Sequence, residues 1–156
     1  MSATITARAH ALGLSLEPAG GPAANYVSKV QVGDLLFVSG QVPRQGDKAV
    51  WLGRVGDTLS EDEGRQAARQ AALGVLAHVA DAVGDDMARV VRVVRLGVFV
   101  ASTPEFQRQS AVADGASDLM VEVFGDAGRH ARTAVGVASL PRGVAVEVEA
   151  IVQIKP

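Results

Sequence analysis

The chain closes on a segment, Val144 to Ile154, whose apolar and polar positions alternate. Val144, Val146, Val148, Ala150, Val152 and Ile154 share one parity. Ala145, Glu147, Glu149, Ile151 and Gln153 share the other. A period of two predicts a strand with its valine face in the core and its glutamate face turned away. "SEDEGRQAARQAALGVLAHVADAVGD" has a different period: Ala68, Ala72, Val75, Val79 and Val83 recur at helical spacing. Ser60 and Glu63 stand in capping-box positions, Glu61, Asp62 and Glu63 crowd the first turn where the helix dipole favours acids, and Gly84 ends the run.

Between these two segments the pattern predicts another strand, "RVVRVVRLGVFVAS", and another helix, "TPEFQRQSAVADGASDLMVEVFGDAG". Thr103 is placed to cap that helix, with Pro104 at its first position and Glu105 next. Phe106, Ala113, Ala116, Met120 and Val123 form its apolar stripe. Upstream, Gly33-Asp34 separates two β-prone runs and predicts a hairpin with a type II′ or longer turn. Leu35 to Val38 is continuously apolar, as in a strand covered on both faces. "RQGDKAVWLGRVGDTL" reads as an irregular excursion. "ARTAVGVASL" precedes the final strand, with Pro141 to Gly143 as the connecting turn. Residues 1–25 read as a short first strand and a Gly/Pro-rich loop. The predicted order is β-β-β-α-β-α-β-β in a single domain over 1–156. This is an α+β fold, a mixed sheet with two helices on one face.

The opposite face carries Glu147 and Glu149 flanked by Ala145 and Ile151. It is half apolar, which suggests a subunit interface. Carboxylates in such a place are partly desolvated, and two like charges raise the pKa of one of them. The residues leave open which one.

Composition narrows the classes. Of 156 residues, 48% are hydrophobic and only 4% aromatic, so valine, alanine and leucine must build the core. The net charge of −2, without a basic run or an aromatic platform, argues against nucleic acid as a partner. There is no cysteine, which removes disulfides and thiolate chemistry. His10, His78 and His130 lie far apart without ligand spacing, so no metal is expected. The N-terminus does not read as a signal peptide, and no apolar run is long enough to span a membrane. A cytoplasmic protein is the expectation.

Arg132 offers a planar fork suited to a carboxylate, or else it makes a surface or intersubunit ion pair. Glu147 reads as a general base or water-orienting group, or as a solvated strand position. His130 shares Arg132's side in an extended chain and reads as an acid or base, or as a loop histidine. Ser39 lacks a nucleophile elbow, since Phe37 stands where the first glycine belongs. Its hydroxyl or nearby backbone suits binding, with Gly40 admitting a ligand close to the main chain. Tyr26 covers a pocket or packs beside the hairpin. "GRVGDTL" and "AGGPAAN" lack the spacing of phosphate loops.

Taken together, "NYVSKVQVGDLLFVSGQVP", "RVVRLGVFVASTPEF" and "ARTAVGVASLPRGVAVEVEAI" resemble the RidA/YjgF family, also called the L-PSP endoribonuclease family. The N-terminal extension and "FGDAGRHAR" resemble its longer bacterial branch. The resemblance implies a chorismate-mutase-like fold and a homotrimer with intersubunit clefts. It also implies hydrolysis of reactive imines and enamines to 2-oxo acids and ammonia, without a cofactor. Arg132 would bind the substrate carboxylate and Glu147 would position water. Tyr26, Ser39 and Gly40 would line the pocket. Apart from the resemblance, His130 and Glu149 are the accessory candidates by their positions beside Arg132 and Glu147. Two positions depart from the family pattern. Ala134 stands where many members have cysteine, and Ser110 where many deaminases have asparagine. A trimer that binds small carboxylates without turnover is the alternative, and an endoribonuclease or translation inhibitor ranks last.

Overall fold

A computed structural model describes residues 3–156. The final strand behaves as its alternation predicts. In β7 (Val146–Ile154) every residue of the valine parity is buried, and every residue of the other parity is partly exposed. β7 lies at the centre of a five-stranded sheet ordered β1-β2-β7-β5-β6, where β1 is Lys29–Val32, β2 Leu35–Gln41, β5 Val90–Ala101 and β6 Ala131–Val137. β5 and β6 are parallel and the other pairs antiparallel. The excursion after β2 holds a small separate hairpin, β3 (Arg44–Gln45) with β4 (Lys48–Ala49).

Helices α2 (Glu61–Val83) and α3 (Gln109–Phe124) cover the valine face. The capping box forms as predicted: Glu63 N donates to Ser60 Oγ at 3.2 Å and Ser60 N to the Glu63 carboxylate at 2.7 Å. Gly84 closes α2 at φ 64°. The Gly33-Asp34 turn joins paired Val32 and Leu35, with Gly33 at φ 61° and Asp34 not at positive φ, as a type II′ turn requires.

α2 and α3 pack closely because glycine lies between them. A Cβ at Gly115 would meet the backbone carbonyl of Arg65. Gly115→Ala should therefore destabilise the fold by about 1–3 kcal/mol, the usual cost of overpacking. The clash is with backbone, which cannot swing aside, so the cost lies toward the upper end of that range and outweighs the roughly 1 kcal/mol of helix propensity that alanine adds. Denaturant unfolding checks it, and an unchanged midpoint would mean that the helices separate freely.

Several expectations are corrected. The first element is a helix, α1 (Ile5–Ala11), not a strand. Thr4 caps it through Ala7 N, and Ile5 and Ala9, one turn apart, are its buried pair. α3 starts at Gln109 rather than at Pro104. Thr103 N is held by Val55 O at 3.1 Å, so residues 103–106 make a single turn (Phe106 N to Thr103 O, 3.2 Å) that cannot propagate. Leu35 to Val38 is covered on one side only, since Leu36 and Val38 are buried and Phe37 is exposed. Ala145 is fully buried, because its amide donates to Trp51 O and the 51–55 loop lies over it. It does not belong to the open face. Pro141 to Gly143 does connect β6 to β7, but β5 lies between them in the sheet.

Candidate functional site

Arg132 lies on β6 opposite Leu96 of β5, and Leu96 is buried under the helices. Arg132 therefore points to the helix side, toward α3. Its Nη1 donates to Asp114 Oδ1 at 2.8 Å and to Ser117 Oγ at 3.1 Å, and its Nη2 to Ser110 O at 3.3 Å. Nε has no partner among the described residues. The ion-pair reading of Arg132 is thus realised, yet Nε stays free, and with the long Nη2 contact beside it that side can still turn to a carboxylate.

His130 continues the network. Its Nδ1 lies 2.6 Å from Gly128 O, an acceptor, so Nδ1 carries the proton. Its Nε2, 2.8 Å from Ser117 Oγ, accepts the hydroxyl proton. Burial pushes the His130 pKa down, the Gly128 carbonyl partly opposes this, and the Arg132 charge adds to the fall. A neutral histidine orients Ser117, and Ser117 in turn receives Arg132. Ser110 is exposed beside the guanidinium, and Ala134, the next residue on Arg132's side of β6, is partly buried against the core.

Glu147 and Glu149 stand on the other face. Glu147 pairs with Phe99 and Glu149 with Gly97 on β5. Arg95 Nη1 lies 3.5 Å from Glu149 Oε1, a loose and partly exposed ion pair. Glu147 has no hydrogen-bond or ion-pair partner among the described residues. Burial raises its pKa above the ordinary carboxylate value, and the Glu149 charge raises it further.

Gly40 explains where the Glu147 carboxylate rests. A Cβ at Gly40 would collide with that carboxylate, so the glycine admits Glu147 itself. β2 is irregular here, with a register shift between Val38 and Gln41. Ser39 Oγ donates to Val27 O at 2.8 Å, and Ser39 N donates to Ser28 O at 2.9 Å. Ser39 therefore ties the segment before β1 to β2. Tyr26, on that segment, is half exposed, and its hydroxyl receives only a 3.5 Å contact from Ala23 N. A cavity of about 230 Å³ lies on this face, bordered by Phe37, Ser39, Arg95 and Glu149.

The structure thus forms two groups rather than one. Ser39, Gly40, Glu147 and Glu149 gather on the open face, and Ser110, His130, Arg132 and Ala134 on the helix side. Within one chain Arg132 and Glu147 lie on opposite faces of the sheet, with β5 between their strands. The sequence reading missed Asp114, Ser117 and Arg95. Ser110, Asp114 and Ser117 recur at helical spacing on an otherwise apolar helix, and that pattern marks a polar face aimed at a strand.

A model of the family described as endoribonuclease L-PSP matches residues 17–154. Protein TCP17 of Trypanosoma cruzi is 50% identical over 154 residues, which is 98% of this chain and 96% of that protein. The crystal structure of Atu1372 from Agrobacterium tumefaciens, described as of unknown function, superposes with a TM-score of 0.90 at 44% identity, covering 97% of this chain and 92% of that one. The structure of E. coli TdcF with bound serine gives a TM-score of 0.61 at 25% identity, covering 88% and 94%.

Proposed function

The chain belongs to the endoribonuclease L-PSP (RidA/YjgF) family, and from that membership we propose that it hydrolyses 2-imino and 2-enamino acids to 2-oxo acids and ammonia in clefts between subunits of a trimer. The observation that carries this reading is the Glu147 carboxylate: half-buried, unpaired and raised in pKa. A base with its pKa lifted toward the working pH is suited to exchanging protons with water. The second support is Arg132, whose free Nε edge suits a substrate carboxylate. The serine bound to TdcF is a ligand carrying that group.

The step needs no metal or covalent nucleophile, because an imine carbon is already electrophilic. An enamine first shifts a proton to carbon and becomes the imine. Water then adds to the C=N carbon as Glu147 takes its proton. The resulting carbinolamine receives a proton on nitrogen, the C–N bond breaks, and ammonia leaves as the C=O forms. Holding the carboxylate at Arg132 and one water at Glu147 supplies proximity and orientation.

Because Arg132 and Glu147 lie on opposite faces, a site using both takes them from two chains. The open face suits such contact. Val30, Phe37 and Val135 project from it with their side chains exposed, and so much apolar surface on a small chain favours a partner. Light scattering at micromolar concentration should return a trimer of the 16.1 kDa chain. A single-chain mass would remove the cleft.

Ammonia release from freshly generated 2-aminoacrylate tests the activity. Release above the spontaneous rate supports the reading. Tight 2-oxo acid binding without release would replace it with a non-catalytic carboxylate-binding protein.

A further inference from the structure

The loop "GRVGDTL", Gly53 to Leu59, takes no part in the site above, yet backbone hydrogen bonds tie it to the sheet and to itself. Val55 is fully buried and extends the sheet by one residue, its N–H donating to Ala101 O at 2.8 Å and its carbonyl accepting from Thr103 N at 3.1 Å. Gly53 and Gly56 flank this anchor at φ 133° and 90°, conformations that side chains avoid. Arg54 lies between them with its backbone fixed at both ends. Its N–H donates to Thr58 Oγ1 and its carbonyl accepts from Leu59 N, each at 3.0 Å.

So firm a mounting presents a side chain that is nearly unused. No carboxylate among the described residues lies within ion-pair distance of Arg54. Its Nη2 makes one long contact, 3.4 Å to Ser102 O. Its Nε is buried with no hydrogen-bond partner. Guanidinium stays charged at all ordinary pH, so this donor cannot escape by losing its proton. Arg54 borders a cavity of about 370 Å³ that contains no acidic residue. The other polar groups there are Ser102, Thr103 and the Gln109 amide, which donates to Phe106 O at 2.8 Å and to Ser102 Oγ at 3.3 Å. Gly136 keeps one wall open, since a Cβ there would come within 2.8 Å of Gln109 Nε2 and Ser102 Oγ.

We infer that Arg54 and this cavity form a second binding position for a carboxylate, distinct from Arg132. The two arginines flank the first turn of α3: Arg132 reaches Ser110 O, and the Arg54 cavity reaches Gln109. Arg132 and Gly136 share one side of β6, about 13 Å apart at roughly 3.3 Å per residue, with only Ala134 between them on that side. The carboxylate is either the far end of a diacid whose near end sits on Arg132, or a separate small acid. The first source rests on the reading of Arg132 given above, whereas the pocket itself does not.

Calorimetric titration of wild type, Arg54→Gln, Arg54→Lys and Arg132→Gln with acetate, 2-oxobutyrate, 2-oxoglutarate and 2-oxosuberate separates these sources. If the pocket takes a diacid's far end, one of the diacids binds wild type at least about tenfold more tightly than 2-oxobutyrate. Arg54→Gln abolishes that advantage and leaves 2-oxobutyrate unchanged. If it takes a separate acid, acetate binding survives Arg132→Gln and is lost in Arg54→Gln. In either case Arg54→Lys keeps part of the effect. Should Arg132 not bind carboxylates at all, the acetate arm still reports on Arg54. Soaking wild-type crystals with acetate and with each diacid gives a readout that does not depend on variants folding, and a carboxylate against the Arg54 guanidinium in this cavity is the expected result. Equal affinity for every acid in wild type and both Arg54 variants overturns the inference. So does ligand found only elsewhere. A loss of oligomer mass in Arg54→Gln without any change in acid binding would likewise overturn it, by assigning Arg54 to a subunit contact.

Discussion

Arg132→Lys is expected to weaken binding of a small 2-oxo acid at least about tenfold, nearly as much as Arg132→Ala. Lysine keeps the charge but replaces a planar fork by a point donor with a different reach. Each hydrogen bond to a charged group is worth roughly 1.5–3 kcal/mol, and about 1.4 kcal/mol is a factor of ten. The guanidinium is already engaged: Asp114 and Ser117 hold Nη1 and Ser110 O takes a long contact from Nη2, so the ligand must approach at Nε. A purely structural pair predicts something else. Its side chains are 22% and 51% exposed, and a pair so open contributes only about 0–1 kcal/mol to stability, with no bearing on binding. Asp114→Asn separates the two cases. If Arg132 binds substrate, Asp114→Asn keeps or tightens affinity, because a competing carboxylate is gone, while both Arg132 variants lose it. Equal affinity in all four proteins would leave Arg132 as a brace between β6 and α3.

Glu147→Gln should lower turnover by about 10²–10⁴-fold, the usual range for a general base, with 2-oxo acid affinity kept. The same variant should be more stable than wild type above the acid range. The sign follows from the raised pKa. The folded state holds the Glu147 proton more tightly than the unfolded chain does. This group's contribution is therefore fully present below the unfolded pKa and is lost as pH rises through the folded value. At neutral pH the wild-type carboxylate is charged in a half-buried place, and glutamine is not. Thermal unfolding of the two proteins should diverge as pH increases from the ordinary glutamate range. The acid limb of the wild-type rate profile should likewise lie above that range. An unchanged rate in a folded Glu147→Gln protein would make Glu147 a strand-face residue and nothing more.

Much of the fold is legible locally. The capping box at Ser60 and Glu63, the stop at Gly84, the Gly33-Asp34 turn and the β7 alternation all formed as read. Each depends on residues within about four positions of one another, where propensity and hydrogen-bond reach decide the outcome. The two-sided character of the β7 face was legible for the same reason, and so was the conflict between its two carboxylates. The family resemblance agrees with the match over residues 17–154.

Where the readings failed, a distant partner intervened. Thr103, Pro104 and Glu105 spell a helix start, but Val55, far away in the chain, holds Thr103 and delays α3 to Gln109. Ala145 has the parity of the open face, yet the Trp51 loop buries it. Residues 3–11 alternate in a period of two, as a strand would, yet a helix forms there, capped by Thr4 and with Ile5 and Ala9 buried. That Glu147 is perturbed depended on burial, because the pairing of β2 with β7 rests its carboxylate against Gly40. That Arg132 and Glu147 face opposite ways depended on register. β6 pairs Arg132 with Leu96 while β7 pairs Glu147 with Phe99, and successive residues of β5 point to opposite faces. A single strand's pattern determines which of its residues share a face. Only the pairing of strands distant in sequence determines whether two such faces are the same one.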